Sequence, residues 1–261
     1  MILCLLQARM GSTRLPQKVL KPIIDSIPSL YLQWERISPS TKVDKIVVAT
    51  SHLPQDDVIE HFCNQWKIPV FRGDEQNVLS RFYEAAVVYQ ADVIVRITAD
   101  SPLHHYKVID WSIEQYQKLN VDYFSNSNVS NSNEPLVLED GWVTEVFSFN
   151  ALKTAYFEAQ KNSEKEHVTP YIKSSGKFKC HYQKYLSDNP NNYKLSLDTE
   201  DDYRLIQIIF KHFYPNLMFE VNEVVKLLQD HPHLLEINKN SVINAGYQKS
   251  LEEEEKTKGL K

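Results

Sequence analysis

The sequence predicts an α/β fold, a mostly parallel mixed sheet with helices on both faces. Three observations carry that expectation. Short, continuously apolar runs at Ile2–Leu6, Lys45–Thr50 and Asp92–Ile97 read as buried strands. Segments with helical apolar spacing follow them, at Ser29–Ile37, Asp56–Trp66 and Lys107–Leu119. The regular alternation of the two is the pattern of parallel strands joined by crossover helices. Sheets of this kind bind ligands at the carboxyl ends of their strands. The polar segments Gln7–Lys18, Thr50–His52 and Thr98–Pro102 are therefore the first places to look for a site.

The elements follow in order. Ile2–Leu6 is the first strand, and the polar loop Gln7–Lys18 leaves it. In Ser29–Ile37, Leu30, Trp34 and Ile37 share one helical face. The strand Lys45–Thr50 leads to the helix Asp56–Trp66, then to a short strand Ile68–Phe71 and a helix Asn77–Tyr89. The strand Asp92–Ile97 precedes the helix Lys107–Leu119 and a strand Tyr123–Ser125. A long polar loop spans 126–143, a length that usually marks a functional flap or a mobile segment. Thr144–Phe147 reads as a strand, Asn150–Lys161 as a helix, and Glu164–Ser174 as a helix or turn. Lys177–Tyr185 and Lys194–Leu197 read as strands, Asp201–His212 and Val221–Gln229 as helices. The pattern holds no internal repeat and no linker, so residues 1–250 are expected to form one domain. The charged tail 251–261 is expected to fray into disorder.

Composition narrows the function. The chain has 261 residues, a net charge of −5 and a 42% apolar content, which suits a globular protein with a sizeable core. An acidic balance argues against a general nucleic-acid binder. No stretch reaches the ~18 apolar residues of a membrane span. The short apolar start Met1–Leu6 meets Gln7 and Arg9 at once, so it does not read as a signal peptide. Cys4, Cys63 and Cys180 are odd in number and widely spaced, as expected of reduced core thiols in a cytoplasmic protein. Glycine is scarce, with 6 in the chain, so each is expected where backbone freedom matters.

The strongest chemical signal is Gln7-Ala-Arg-Met-Gly-Ser-Thr-Arg-Leu-Pro16 with Lys18. A buried strand ends in a loop holding Gly11, the hydroxyls of Ser12 and Thr13, and the cations Arg9, Arg14 and Lys18. Amide groups in such a loop can cradle an anion, and guanidinium groups grip phosphate in a bidentate way. The loop is neither a Walker A sequence nor a G-x-G-x-x-G turn. Two acids follow predicted strands, Asp100 and Asp198, and could hold Mg²⁺ against phosphate oxygens. Position alone equally allows Asp198 or Thr199 to cap the next helix, and Asp100 to open a turn. Arg72-Gly-Asp-Glu75 with Asn77 and Arg81 reads on its own as an ordinary strand-to-helix turn. His104 and His105 have no partners at zinc-ligand spacing.

Together these segments resemble the cytidylyltransferases that make CMP-activated acidic sugars. The branch is that of the spore coat polysaccharide protein SpsF, related to the KDO and acylneuraminate synthetases. The resemblance rests on Gln7–Leu20, Val48–Ser51, Arg72–Ala86, Val95–Leu103, Glu145–Phe149, Glu166–Ile172 and Leu195–Thr199, in order from residue 2 to about 250. It implies a Rossmann-like, nucleotide-diphospho-sugar transferase fold. It also implies the reaction of CTP with an acidic sugar in surface glycan synthesis, giving a CMP-conjugate and pyrophosphate. By the resemblance, Arg9, Lys18 and Asp100 would be catalytic. Ala8, Arg9, Gly11, Ser12, Arg14, Lys18, Thr50, Ser51, Asn77 and Arg81 would bind the nucleotide. Asp100 and Asp198 would carry Mg²⁺. Glu145, Glu166 and His167 would face the acceptor. It further implies a homodimer in the cytoplasm.

Four positions depart from the family pattern. Gln17 stands where relatives place a glycine after Leu-Pro, which is costly wherever φ must be positive. Gln76 replaces an acidic residue before Asn77, and Glu200 replaces a proline after Asp-Thr. Asp140-Gly-Trp-Val-Thr144 replaces an Arg-Gly segment, which suggests an unusual acceptor. Two other readings stand beside this one. A homologue that binds nucleotide without turnover is motivated by Gln17. A glycosyltransferase of similar fold is disfavoured because no Asp-x-Asp follows a central strand.

Overall fold

The computed structural model describes residues 1–128, 139–186 and 193–258. Its central strand is β1 (Ile2–Gln7). Leu3 and Leu5 of this strand face one core, Cys4 and Leu6 face another, and all four are fully buried. A hairpin of β2 (Pro22–Ile24) and β3 (Ile27–Pro28) follows the first loop, and α1 (Ser29–Ile37) follows the hairpin. Then come β4 (Lys45–Ser51), α2 (Asp57–Gln65), β5 (Val70–Gly73), α3 (Val78–Val88), β6 (Val93–Thr98) and α4 (Tyr106–Leu119). The next elements are β7 (Tyr123–Ser125), β8 (Glu145–Ser148), α5 (Phe149–Glu158), α6 (Asn162–His167), α7 (Pro170–Ser174) and β9 (Cys180–Tyr182). The chain continues through α8 (Glu200–Phe213), α9 (Val221–Asp230) and α10 (Ala245–Lys258).

The main sheet runs β5-β4-β1-β6-β8-β7-β9. Its first four strands are mutually parallel, β8 is antiparallel to both β6 and β7, and β9 is parallel to β7. The chain goes from β1 outward through β4 and β5, then returns to place β6 on the other side of β1. That reversal leaves a crevice at the carboxyl end of β1. The paired registers Gln7↔Ala49 and Gln7↔Thr98 bring three strand ends level there. One face of the sheet is covered by α3, α5 and α7, and the other by α1, α2 and α4. A third core joins α8 and α9 to Leu15, Leu32, Trp142, Leu195 and Leu197.

This third core is pinned by Arg36 of α1, which is buried and donates to the carbonyls of Leu103, His104, Leu217 and Phe219. Its guanidinium also lies 4.0 Å from the Phe219 ring centre. Four carbonyls otherwise left without donors thus find one, at a desolvation cost that pushes the guanidinium pKa down to about 9.

The structure departs from the sequence reading in three places. Lys194–Leu197 bends at Ser196 and belongs to no sheet. The amides of Leu195 and Ser196 donate to the Asp140 carboxylate, and that of Leu197 donates to the Asp100 carbonyl, so no ladder forms. Residues 251–258, expected to fray, continue α10, which docks on α6. The β2–β3 hairpin went unread because its turn uses Asp25 and Ser26 at positive φ, with no glycine to announce it. Of the loop read over 126–143, residues 129–138 lie outside the described residues. Among the described residues no helix is long and apolar enough to cross a membrane.

His104 is fully buried in this core beside Thr144 Oγ1, 3.0 Å from its Nε2. Burial pushes its pKa from 6.5 down to about 3. The unfolded chain therefore takes up a proton there as the pH falls below 6.5, while the folded chain stays neutral, so stability falls toward acid. Urea unfolding at about pH 7 and about pH 5 should show the wild type losing about 2 kcal/mol more than His104→Gln. Equal losses in the two proteins would contradict this.

Candidate active site

The loop leaving β1 is fixed before it reaches any ligand. Ala8 N–H extends the ladder to the Ala49 carbonyl at 3.0 Å. Met10 N–H donates to Asp56 Oδ1 at 2.7 Å, and the other Asp56 oxygen accepts from the Ser51 hydroxyl. Leu15 N–H donates to Ser12 Oγ at 3.3 Å, and Leu15 and Val19 are buried below. With its apolar residues down, the loop leaves Arg9 and Arg14 outward, their side chains 41% and 42% exposed. Gly11 is not in the left-handed region. Its lack of a side chain instead admits Gln55, whose Nε2 would lie 3.2 Å from an added Cβ. The left-handed position is Gln17, at φ 59 and ψ 21.

Lys18 stands at the centre of the crevice. Its ammonium is 2.9 Å from Asp100 Oδ2 and 2.9 Å from Asp198 Oδ1. Arg14 lies 3.3 Å from the same Asp198 oxygen, and Lys194 lies 3.1 Å from the other. Burial alone would raise the Asp198 carboxyl, but Lys18, Lys194 and Arg14 hold it well below the usual carboxylate range. Burial would lower Lys18, yet Asp100 and Asp198 raise it, so it stays charged. Asp198 is not a helix cap: Thr199 caps α8, exchanging hydrogen bonds with Asp202. The Asp198 carboxylate is thus spent on cations rather than on the helix. Behind it, Lys194 is also within 3.4 Å of Asp202 and 3.9 Å of Asp140. Two carboxylates that converge on one cation suit Mg²⁺, which commonly takes one or two carboxylates and completes its shell with phosphate and water. Among the described residues no group of three or more acidic, histidine or cysteine side chains could hold a metal by itself.

Thr50, Ser51, Asn77 and Arg81, expected from the resemblance to bind the nucleotide, lie at and after the neighbouring strand ends. Thr50 is buried, with a hydroxyl that has no hydrogen-bond partner. Ser51 is held by Asp56 and accepts from Leu53 N–H at 3.1 Å. Asn77 caps α3, accepting from Ser80 N–H at 3.0 Å. Arg81 is buried and donates to the carbonyls of Asp74, Glu75 and Ala49. Gly73 is required by that packing, since an added Cβ would lie 2.7 Å from Arg81 Cγ. Ser51, Asn77 and Arg81 therefore hold backbone at this strand end, while the Thr50 hydroxyl is unpaired.

On the other side of Arg9 lies a second charged cluster. Glu145, at the start of β8, accepts from Tyr123 at 2.6 Å and from Thr169 at 2.6 Å, and it pairs with Arg96 and Lys173. Burial would raise its carboxyl, but Arg96, Lys173 and the two hydroxyls bring its pKa down to about 2. Arg96 also donates to Gln7 Oε1 at 3.0 Å. Glu166 lies 3.6 Å from Arg9, and Ser250 of α10 donates to its Oε2 at 2.9 Å. Between His167 and Thr169 the chain makes a tight turn at Val168, with φ 68 and ψ −55 and Thr169 N–H bonded to the His167 carbonyl at 2.8 Å. A β-branched residue rarely adopts this strained γ-turn. It sends Thr169 toward Glu145 and His167 toward α10.

Cations gathered at a loop, a pair of carboxylates on one cation, and a crevice at a topological switch point are the parts of a nucleotidyl-transfer site. The cytidylyltransferase family model matches residues 3–237. The chain belongs to the cytidylyltransferase family. It is therefore a nucleotidyltransferase, on the Rossmann-like fold of that group. It is 32% identical to the spore coat polysaccharide biosynthesis protein SpsF of Bacillus subtilis over 241 residues, 88% of this chain and 95% of that one. It is 38% identical over 243 residues to MJ1063 of Methanocaldococcus jannaschii, covering 92% of this chain and 95% of the relative. The solved structure of a cytidylyltransferase from Leptospira borgpetersenii superposes with a TM-score of 0.81 at 27% identity, covering 93% of this chain and 98% of that one.

In this cytidylyltransferase the structure gathers Arg14, Lys18, Asp100 and Asp198 at the end of the central strand, sets Arg9 between Glu75 and Glu166, and groups Glu145, Glu166 and His167 beside it. Sequence reasoning missed Asp56 and Lys194. Asp56 was read only as a helix start, and nothing local marks Lys194 as the second cation on Asp198. Within the Asp140-Gly-Trp-Val-Thr144 segment, which the sequence ties to an unusual acceptor, the Asp140 carboxylate accepts from the amides of Leu195 and Ser196 and from the Ser196 hydroxyl. An added Cβ on Gly141 would lie 2.6 Å from Leu195 Cβ.

Gln17→Gly removes the left-handed strain of about 1–2 kcal/mol but adds chain entropy to the unfolded state. The net gain in unfolding free energy should be about 0.5–1 kcal/mol by denaturant titration. A destabilised variant would show that the glutamine side chain outweighs its backbone.

Proposed function

We propose that this cytidylyltransferase transfers CMP from CTP to an acidic sugar, with Mg²⁺ held by Asp100 and Asp198. The observation that carries the reading is the convergence of Lys18, Arg14, Asp100 and Asp198 within hydrogen-bond reach at the end of the central strand. Arg9, Arg14 and Lys18 bind the triphosphate, supplying charge where pyrophosphate departs. The metal, when bound, neutralises phosphate oxygens and makes the α-phosphorus more electrophilic. Thr50 and the backbone held by Ser51, Asn77 and Arg81 flank the base.

The acceptor hydroxyl oxygen bonds to the α-phosphorus as the bridging bond from that phosphorus to pyrophosphate breaks. Its proton is released. Such in-line transfer needs alignment and charge neutralisation more than a covalent nucleophile. A sugar carboxylate suits the second cluster, where Arg96, Lys173 and Arg9 surround Glu145, Glu166 and His167. Gln17 does not count against turnover in this reading, because it already adopts the left-handed turn.

Pyrophosphate release from CTP, Mg²⁺ and a panel of sugar acids tests the proposal. Asp100→Asn and Asp198→Asn should each cut turnover by at least about tenfold with the fold retained. Near-normal rates in either variant would remove that residue from the metal site. No pyrophosphate with any sugar acid, and no thermal stabilisation by CTP, would overturn the reading.

A further inference from the structure

The family model ends at residue 237, yet α10 (Ala245–Lys258) docks against the residues read as facing the acceptor. Its anchor is Glu254, whose Oε1 accepts from Ser163 N–H at 2.6 Å at the start of α6. Tyr247 sets its ring edge-on to the His167 imidazole, with centres 5.0 Å apart. Ser250 Oγ lies 2.9 Å from Glu166 Oε2 and 3.0 Å from His167 Nε2. The direct separation of Glu166 Oε2 and His167 Nε2 is longer, 3.9 Å, so the serine hydroxyl joins them.

Counting protons fixes the direction of this chain. Ser250 has one hydroxyl proton and three possible acceptors, the Glu166 carboxylate at 2.9 Å, an unprotonated His167 Nε2 at 3.0 Å and the Gly246 carbonyl at 3.2 Å. The carboxylate, the only charged acceptor of the three and the nearest, takes it. The serine oxygen can then only accept from the imidazole, so His167 carries its proton on Nε2. Burial lowers the His167 pKa to about 4, with Glu166 opposing and Arg96, Lys173 and Arg9 reinforcing, so the ring is neutral near pH 7. Its Nδ1 is left as an acceptor.

We infer that Ser250 of the C-terminal helix is a positioning residue for the acceptor: it fixes the Nε2–H tautomer of His167 and the orientation of Glu166, and so sets affinity for the sugar acid. The inference rests on the acceptor reading given under Proposed function. It makes a helix outside the family model part of what selects the acceptor. The strained turn at Val168 fits this role, since it is what turns His167 out to meet α10.

The test compares Ser250→Ala and Ser250→Thr with the wild type. Imidazole ¹⁵N shifts of histidine-labelled protein, with His167→Gln to assign the signal, read the tautomer. Steady-state kinetics read KM for CTP and for the sugar acid separately. In Ser250→Ala the fixed Nε2–H signature should be lost. The sugar-acid KM should rise about fivefold, the size of one neutral hydrogen bond, while KM for CTP stays within about twofold. Ser250→Thr should restore both. An unchanged imidazole spectrum, or an unchanged sugar-acid KM in Ser250→Ala, would overturn the inference. If the wild type itself turns over no sugar acid, the reading under Proposed function fails, and the imidazole spectrum alone then decides whether Ser250 positions His167.

Discussion

The ammonium of Lys18 holds together parts of the chain that are far apart in sequence. Asp100 is 82 residues away and Asp198 is 180 residues away, and each carboxylate lies 2.9 Å from the same nitrogen. Two half-buried carboxylates this close repel each other and lose water, so they are tolerable only with cations between them. Lys18 supplies one, Lys194 and Arg14 supply the others, and Asp140 and Asp202 balance Lys194 from behind. The ends of β1 and β6 and the segment 193–198 are positioned around this charge arrangement. Leu197 N–H donating to the Asp100 carbonyl at 2.6 Å ties the two acid-bearing segments directly.

The same economy explains why the base-side residues look structural. Arg81, Asn77 and Asp56 satisfy backbone groups that the sheet and helices leave unpaired at their ends. Backbone held in this way is preorganised, with less freedom to lose if a ligand is bound there. The cluster around Glu145, Glu166 and His167 is built differently. There a strained turn at Val168 splits two adjacent side chains, one toward the Glu145 cluster and one toward α10.

Much of this was legible where the signal is local. β1, β4 and β6 announce themselves as continuous apolar runs, and the loop after β1 shows its cations within ten residues. Gln17 could be flagged as a strained position because a left-handed residue there needs no partner to be unfavourable. What depends on distant partners was not legible. Lys194–Leu197 has a strand's composition, but its amides are taken by Asp140 and Asp100, which no periodicity reveals. The acidic run of α10 reads as solvated until Ser250 and Glu254 meet α6. Arg36 looks like any helix arginine until four carbonyls from two distant loops close on it.

The central claim is that the crevice at the end of β1 is where a nucleoside triphosphate sits, gripped by the loop cations. Calorimetric titration of CTP into the wild type, Arg9→Gln and Arg14→Gln, all with Mg²⁺ present, addresses it most directly. Both arginine side chains are well exposed, 41% and 42%, and thermal unfolding of each variant without ligand separates lost binding from lost fold. Saturable binding of one CTP per chain is expected, weakened about tenfold by each substitution, as loss of a charge-assisted contact to phosphate requires. CTP bound equally well by all three proteins would contradict it.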